Sequence, residues 1–143
     1  MDSQFRRKYQ RSQVAVVLSL AFALAGFSYN VWRMEVSESN NTTRTACFEI
    51  LMNLSKLEQL VYAAHYDRDE SEGNPRKGWV LVGLIADLSE LTDTDVREET
   101  VNLKAAWSAN WSNLATDRPA ADNVVNAIDA VRNKIKVLLR SLN

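Results

Sequence analysis

The sequence contains little of what an all-β fold or a disulfide scaffold requires. Its 143 residues include 4 glycines and 2 prolines, and a β-sandwich or β-barrel needs such breakers about every 8–12 residues. With a single cysteine, Cys47, the chain cannot form an intrachain disulfide, so a folded domain has to be stabilised by its hydrophobic core. These absences exclude both classes and predict long helices.

The residue sets of the common catalytic and metal sites are also missing. His65 is the one histidine, so it has no partner for a metal site or a nucleophile dyad. The acidic run 67–72 has Glu72 where a calcium loop requires glycine and is followed by Gly78 where that loop requires its bidentate acid. Because no glycine-rich phosphate loop or Ser/His/Asp set occurs either, we predict no enzyme, no catalytic residues, no metal and no cofactor.

One stretch near the N-terminus lacks charge altogether. No Asp, Glu, Lys or Arg occurs from Ser12 to Trp32, and a helix of this length spans roughly 31 Å, the thickness of a bilayer hydrocarbon core. Tyr29 and Trp32 lie at its far end, where aromatic rings favour the membrane interface. The pattern predicts a transmembrane helix over residues 12–33, in contact with membrane lipid.

The charges before this stretch predict its orientation. Four cations and one acid precede it: Arg6, Arg7, Lys8, Arg11 and Asp2. Basic residues resist translocation, so we expect residues 1–11 to stay in the cytoplasm and residues 34–143 to form a periplasmic, extracytoplasmic domain. The expected protein is a single-pass signal anchor of the bacterial inner membrane, a topology that excludes nucleic acid as a partner.

A cleaved signal peptide is the alternative interpretation of the same stretch. Ala23 and Ala25 before Gly26 match the small-x-small rule for cleavage, which would remove residues 1–25 and leave a soluble exported protein. The apolar stretch continues past Ala25 to Trp32, and this length favours a retained anchor.

The first helix after the membrane segment carries a coiled-coil seam. No glycine or proline occurs between Trp32 and Tyr66, so the membrane helix either continues into it or is interrupted near residues 37–43, where weak helix formers cluster. The seam alternates steps of four and three: Val36, Asn40, Thr43, Cys47, Ile50, Leu54, Leu57, Val61 and Ala64.

Three further helices are predicted beyond an acidic loop at residues 67–73. The second begins with Asn74 as its N-cap and Pro75 in its first turn. Its apolar face is predicted from five residues: Leu81, Leu84, Ile85, Leu88 and Leu91.

The third helix opens with Asp95 and Glu98 as a capping pair, and the fourth opens with Asp117 before Pro119. The inward positions of the third are Val96, Thr100, Leu103, Trp107, Asn110 or Trp111, and Leu114. Those of the fourth are spaced by three and four throughout: Ala121, Val124, Ile128, Val131, Ile135, Leu138 and Leu142.

Connections of a few residues make neighbouring helices antiparallel. We therefore predict an all-α protein in which an N-terminal transmembrane helix is followed by an antiparallel four-helix bundle. This layout resembles the helical sensing domains of bacterial chemoreceptors and sensor kinases, in which a transmembrane helix continues into an extracytoplasmic bundle. The resemblance covers residues 12–143 and rests on layout. Those receptors return through the membrane to an output domain, whereas this sequence ends at Asn143, so we expect inward signalling to require a partner.

Two groups of residues are candidate sites. Trp79, Trp107 and Trp111 are candidates for a pocket that binds an apolar or cationic ligand, since the last two share one helix face. Asn40, Thr43 and Cys47 are candidates for self-association, because polar seam positions fix register and stoichiometry. Cys47 is either a buried core residue or an intermolecular disulfide link.

The sequence thus favours a membrane-anchored module for protein–protein interaction or self-association, with a protein partner or a second copy of itself. The first alternative is an extracytoplasmic ligand-sensing bundle that acts through a partner. The second is the soluble exported protein that cleavage would leave.

Overall fold

The computed structural model describes the backbone of residues 2–142 and the side chains of residues 13–142. Over this range the protein is all-helical and contains no strand, which confirms the all-α part of the predicted fold. Four α-helices are present: α1 (Asp2–Tyr62), α2 (Pro75–Ser89), α3 (Thr94–Asn110) and α4 (Arg118–Ser141). A π-helical turn, Ala63–Asp67, follows α1, and a 3-10 turn, Trp111–Asn113, follows α3.

Helix α1 continues without interruption through residues 37–43. Of the two alternatives for this region, the continuous helix is therefore the one observed. The chain divides into two compact units, Met1–Ser39 and Asn40–Asn143. The side chains of the predicted basic arm, residues 1–11, lie outside the described part.

The unit Met1–Ser39 consists of the first part of α1. Its described side chains are all exposed. The segment that begins at Gln13 contains a stretch long and apolar enough to cross a membrane, and none of that stretch is buried.

The core of the unit Asn40–Asn143 follows the predicted seams of α1 and α4. Every seam position from Cys47 on α1 to Ala64 in the turn after it is buried, whereas Asn40 and Thr43 are half-buried and Val36 is exposed. On α4, all predicted positions from Ala121 to Leu138 are buried, and Leu142, which follows the helix, is half-buried. The steps of three and four therefore located most of both core-facing stripes correctly, but not their ends at Val36 and Leu142.

On α3 the predicted face is buried as far as Trp107. The helix ends at Asn110, so the last predicted positions, Trp111 and Leu114, lie beyond it. Leu114 is buried from the turn that follows, Asn110 is half-buried, and Trp111 is exposed.

The predicted face of α2 is partly wrong. Ile85 is buried, but Leu84 and Leu91 are exposed and Leu81 and Leu88 are only half-buried. The fully buried line of this helix is Gly78, Val82, Ile85 and Ser89. Ser89 belongs to it because its hydroxyl accepts a hydrogen bond of 2.9 Å from Thr100 on α3, so the buried polar pair is satisfied.

The predicted N-cap residue is the observed one for two helices of three, α2 and α4. Asn74 caps α2, with its Oδ1 accepting from the amide of Arg76 at 2.9 Å. Helix α3 is capped by Asp93, whose Oδ1 accepts from the amide of Val96, so the prediction of Asp95 is wrong by two residues. Asp117 is the N-cap residue of α4 but makes no side-chain cap bond.

An ion pair ties α1 to α4 inside the second unit. Arg132 donates to Glu58 at 2.6 Å and also pairs with Asp129, and Tyr62 donates to Glu58 at 2.9 Å. Burial alone would raise the pKa of Glu58, but the hydrogen bonds from Arg132 and Tyr62 outweigh it and the pKa lies below its ordinary value. The hydrogen bond to Glu58 raises the pKa of Arg132.

Candidate functional site

The three tryptophans singled out in the sequence form one aromatic cluster. The ring of Trp79 on α2 lies edge-on to Trp107, with centroids 6.4 Å apart, and edge-on to Trp111, with centroids 6.5 Å apart. Such edge-to-face pairs are a favoured geometry for aromatic rings. Trp107 is fully buried, whereas Trp79 and Trp111 are 37% and 39% exposed. The cluster therefore has a core member and two surface members.

Gly78 makes room for this cluster. An added Cβ at Gly78 would lie 2.1 Å and 2.2 Å from two carbons of the Trp107 ring, so the indole packs directly on the α2 backbone. Among the described residues, the Trp107 Nε1 has no hydrogen-bond partner. A buried, unpaired indole N–H costs stability, and the tight packing on Gly78 opposes this cost with dispersion contacts.

Trp111 also lines a cleft next to the cluster. The cleft has a volume of about 850 Å³ and is formed by the turns that follow α1 and α3. Its polar lining includes His65, Arg68 and Asp69. Trp79 and Trp107 do not line it, so only one of the three predicted pocket residues borders this cavity.

His65 connects the two turns of the cleft. Its Nδ1 lies 2.8 Å from the carbonyl oxygen of Leu114, and because a carbonyl accepts, Nδ1 carries the proton and donates. The ring of Tyr66 packs edge-on against it, with centroids 4.7 Å apart. His65 thus has a structural role as the link between the end of α1 and the turn before α4.

The loop after His65 is held by its own backbone. Arg68 adopts a left-handed conformation with φ of 52°, and Asp69 Oδ1 accepts from the amides of Ser71 and Glu72. These backbone hydrogen bonds lower the pKa of Asp69. Gly73 then passes so close to α1 that an added Cβ would lie 2.6 Å from the Cα of Ala64.

A second cavity lies between α1 and α2 on the outer side of the unit. This groove has a volume of about 730 Å³. Apolar and charged residues of both signs line it: Lys56, Gln59, Leu60, Tyr62, Ala63, Asp67, Glu72, Lys77, Val80 and Leu81. The sequence did not indicate this groove, because the position of the groove depends on which side of α2 faces the core.

The predicted self-association residues lie apart from this groove. Cys47 is fully buried, and burial, followed by the charge of Asp93, raises the pKa of its thiol. Of the two interpretations of Cys47, the structure favours the core residue. Thr43 donates to the carbonyl oxygen of Leu91 at 3.1 Å, and Asn40 is half-buried.

The described residues contain no group of three or more His, Cys, Asp or Glu side chains arranged to hold a metal ion. The arrangement instead offers an aromatic cluster beside a polar cleft and a groove with apolar and charged walls. Comparisons of the chain with protein-family models, with curated proteins and with solved structures found no match.

Proposed function

We propose that this protein is a single-pass membrane-anchored module that presents an antiparallel four-helix bundle outside the cytoplasm for protein–protein interaction or self-association. The observation that carries the proposal is the apolar stretch within the segment that begins at Gln13, of which no part is buried. A core helix of a soluble protein would bury most of such a stretch. Exposed Val, Leu and Phe side chains gain free energy when they enter a bilayer, about 0.3–0.6 kcal/mol each on the insertion scale.

The contacts of the second unit support the antiparallel arrangement. Arg44 donates to the carbonyl oxygen of Leu142, which follows α4. At the other end of the core-facing part of α1, His65 donates to the carbonyl oxygen of Leu114, which precedes α4. The two ends of this part of α1 therefore meet opposite ends of α4, as in up-and-down bundles.

The retained anchor is tested by membrane extraction and intact mass. We expect the protein to remain in the membrane pellet after alkaline carbonate treatment, with the uncleaved mass of 16.2 kDa. The double variant Leu20→Arg/Leu24→Arg should appear in the soluble or degraded fraction, because each arginine at the centre of a span costs about 3 kcal/mol. Val101→Arg, an exposed substitution on α3, is the matched control and should stay in the pellet. A soluble wild-type chain that begins at Gly26 would contradict the proposal and favour cleavage.

The tryptophan cluster supports a second candidate, a ligand-sensing bundle that acts through a partner. Trp111 is exposed and lines the cleft, and the ring of Trp79 lies edge-on to it. A ligand that contacts Trp111 should change the tryptophan fluorescence of the wild-type protein. The same ligand should leave the fluorescence of Trp111→Phe unchanged, and a flat response across a panel of metabolites would count against this candidate.

A further inference from the structure

We propose that two copies of this chain associate through an apolar face formed by α1 and α2. This α1–α2 face consists of Phe48 and Met52 on α1, of Val80 and Leu84 on α2, and of Leu91 in the turn that follows α2. The five side chains are between 43% and 70% exposed. A group of large, exposed apolar side chains is typical of an interaction surface. The inference rests on the proposed function, since it names the partner and the surface of the presented domain.

The residues on α1 lie on the same side of the helix as part of the groove lining. Lys56 and Gln59 line the groove from α1 and Ala63 lines it from the turn after α1, at steps of three and four that keep them on one side. Met52 and Phe48 lie four and eight residues before Lys56, so the same row continues through them. This row is turned away from the buried seam of α1.

The residues on α2 continue the opposite wall. Val80 lines the groove, and Leu84 follows it at helical spacing on the exposed side of α2. Leu91 is exposed in the turn after α2, and the hydrogen bond from Thr43 to its carbonyl oxygen keeps this turn beside α1. The two rows therefore form neighbouring parts of one surface.

The other described helices of the second unit carry no comparable group. Val101 on α3 and Val137 on α4 are 67% and 64% exposed and are the one large exposed apolar residue on each of these two helices. Single exposed apolar residues are normal on a soluble surface. The grouping on α1 and α2 distinguishes their face from the rest of the domain.

The charge of the groove favours a second copy as the occupant. Lys56 and Lys77 are balanced by Asp67 and Glu72 among the lining residues. In a twofold dimer the same surface patch of both copies forms the interface, so the patch must be complementary to itself. A patch with equal numbers of positive and negative side chains meets the same patch of a second copy without net repulsion. A strongly charged partner of either sign would gain no net electrostatic attraction from such a surface.

The size of the face fits a dimer that is tethered to a membrane. The face presents five large apolar side chains per copy, each at least 43% exposed. A stable interface in solution needs about 800 Å² per partner. Two copies anchored with the same orientation in one membrane have a raised effective concentration, and a smaller face then suffices.

The test compares Val80→Cys with Val101→Cys in the full-length protein in its native membrane. Both are exposed helical valines, and the buried Cys47 stays in place, with the wild-type chain as background. After brief oxidation and blocking of free thiols, we expect roughly tenfold more disulfide-linked homodimer for Val80→Cys than for Val101→Cys, because association holds the first pair together. Adding Leu84→Glu should reduce the Val80→Cys dimer to the Val101→Cys level, whereas adding Val137→Glu should leave it unchanged.

Equal dimer yields for the two cysteines would overturn the inference, and so would a Val80→Cys adduct with a protein of another mass. The same samples separate this failure from failure of the proposed function. Labelling of Val101→Cys by a membrane-impermeant maleimide on intact spheroplasts supports the proposed topology whether or not a dimer forms. If Val101→Cys becomes labelled only after lysis, the proposed function fails as well.

Discussion

Gly78 lies against the indole of Trp107, and an added methyl group there would come within 2.1 Å of the ring. The residue is buried on α2, so the methyl group cannot turn towards solvent. Gly83, on the same helix, has nothing within 4 Å of the position that its Cβ would occupy. A comparison of alanine substitutions at the two glycines therefore separates the packing effect of the added methyl group from its effect on helix propensity.

We predict that Gly78→Ala destabilises the protein by about 1–3 kcal/mol, the usual cost of overpacking a core. Gly83→Ala should stabilise it by about 0.5–1 kcal/mol, because alanine is the better helix former. Urea unfolding followed by tryptophan fluorescence measures both changes. Equal effects of the two substitutions would show that Trp107 does not pack on Gly78 as described.

Glu58 and Arg132 link two helices at the residue scale. The pKa of Glu58 is lowered in the folded protein, so the pair contributes stability above the unfolded-state pKa of about 4.3. This contribution is lost as the pH falls through the lower folded pKa.

We predict that Glu58→Gln costs about 1.5–3 kcal/mol at pH 7, the range for hydrogen bonds to charged groups. The difference from the wild-type protein should shrink as the pH is lowered from about 6 towards about 3. Asp129→Asn, which removes the more exposed partner of Arg132, should cost no more than about 1 kcal/mol. Urea unfolding at several pH values checks this, and a pH-independent difference for Glu58→Gln would contradict the assignment.

At the scale of helices, the starts of α3 and α4 differ although each follows an aspartate. Asp93 accepts a hydrogen bond from the amide of Val96, whereas Asp117 makes no side-chain cap bond. We predict that Asp93→Ala destabilises the protein by about 1 kcal/mol, the typical value of an N-cap bond. Asp117→Ala, the matched control, should cost clearly less in the same unfolding measurement; equal losses would contradict the difference between the caps.

The sequence predicted the helices better than it predicted how α2 packs. The seams of α1 and α4 have polar residues around a narrow apolar stripe, so their steps of three and four identify one face. Helix α2 is apolar on several sides, and periodicity alone did not choose among them. Its core side is determined by two small residues, Gly78 under Trp107 and Ser89 bonded to Thr100.

The sequence also predicted the candidate site only in part. The spacing of Trp107 and Trp111 indicated a shared face, and the structure brings both rings to Trp79. The cleft beside Trp111 could not be predicted, because it depends on the turn after α3 and on the bond from His65 to Leu114. The capping-pair rule chose Asp95 because Glu98 lies three residues later, but the bond that forms is made by Asp93.

At the scale of the whole molecule, the proposed function explains both the stretch without charge near the N-terminus and the lack of an intrachain disulfide. We propose that the stretch without charge anchors the chain and that the helical domain, which has one buried cysteine in its core, contributes a surface for association. Orientation in the membrane is the claim on which this account depends.

The most direct measurement of that claim is labelling with a membrane-impermeant maleimide on intact spheroplasts, using Ser3→Cys and Val101→Cys. Cys47 is fully buried, so the wild-type protein supplies a low background. The account predicts that Val101→Cys is labelled before lysis and that Ser3→Cys is labelled only after it. Labelling of Ser3→Cys on intact spheroplasts, or protection of Val101→Cys until lysis, would contradict it.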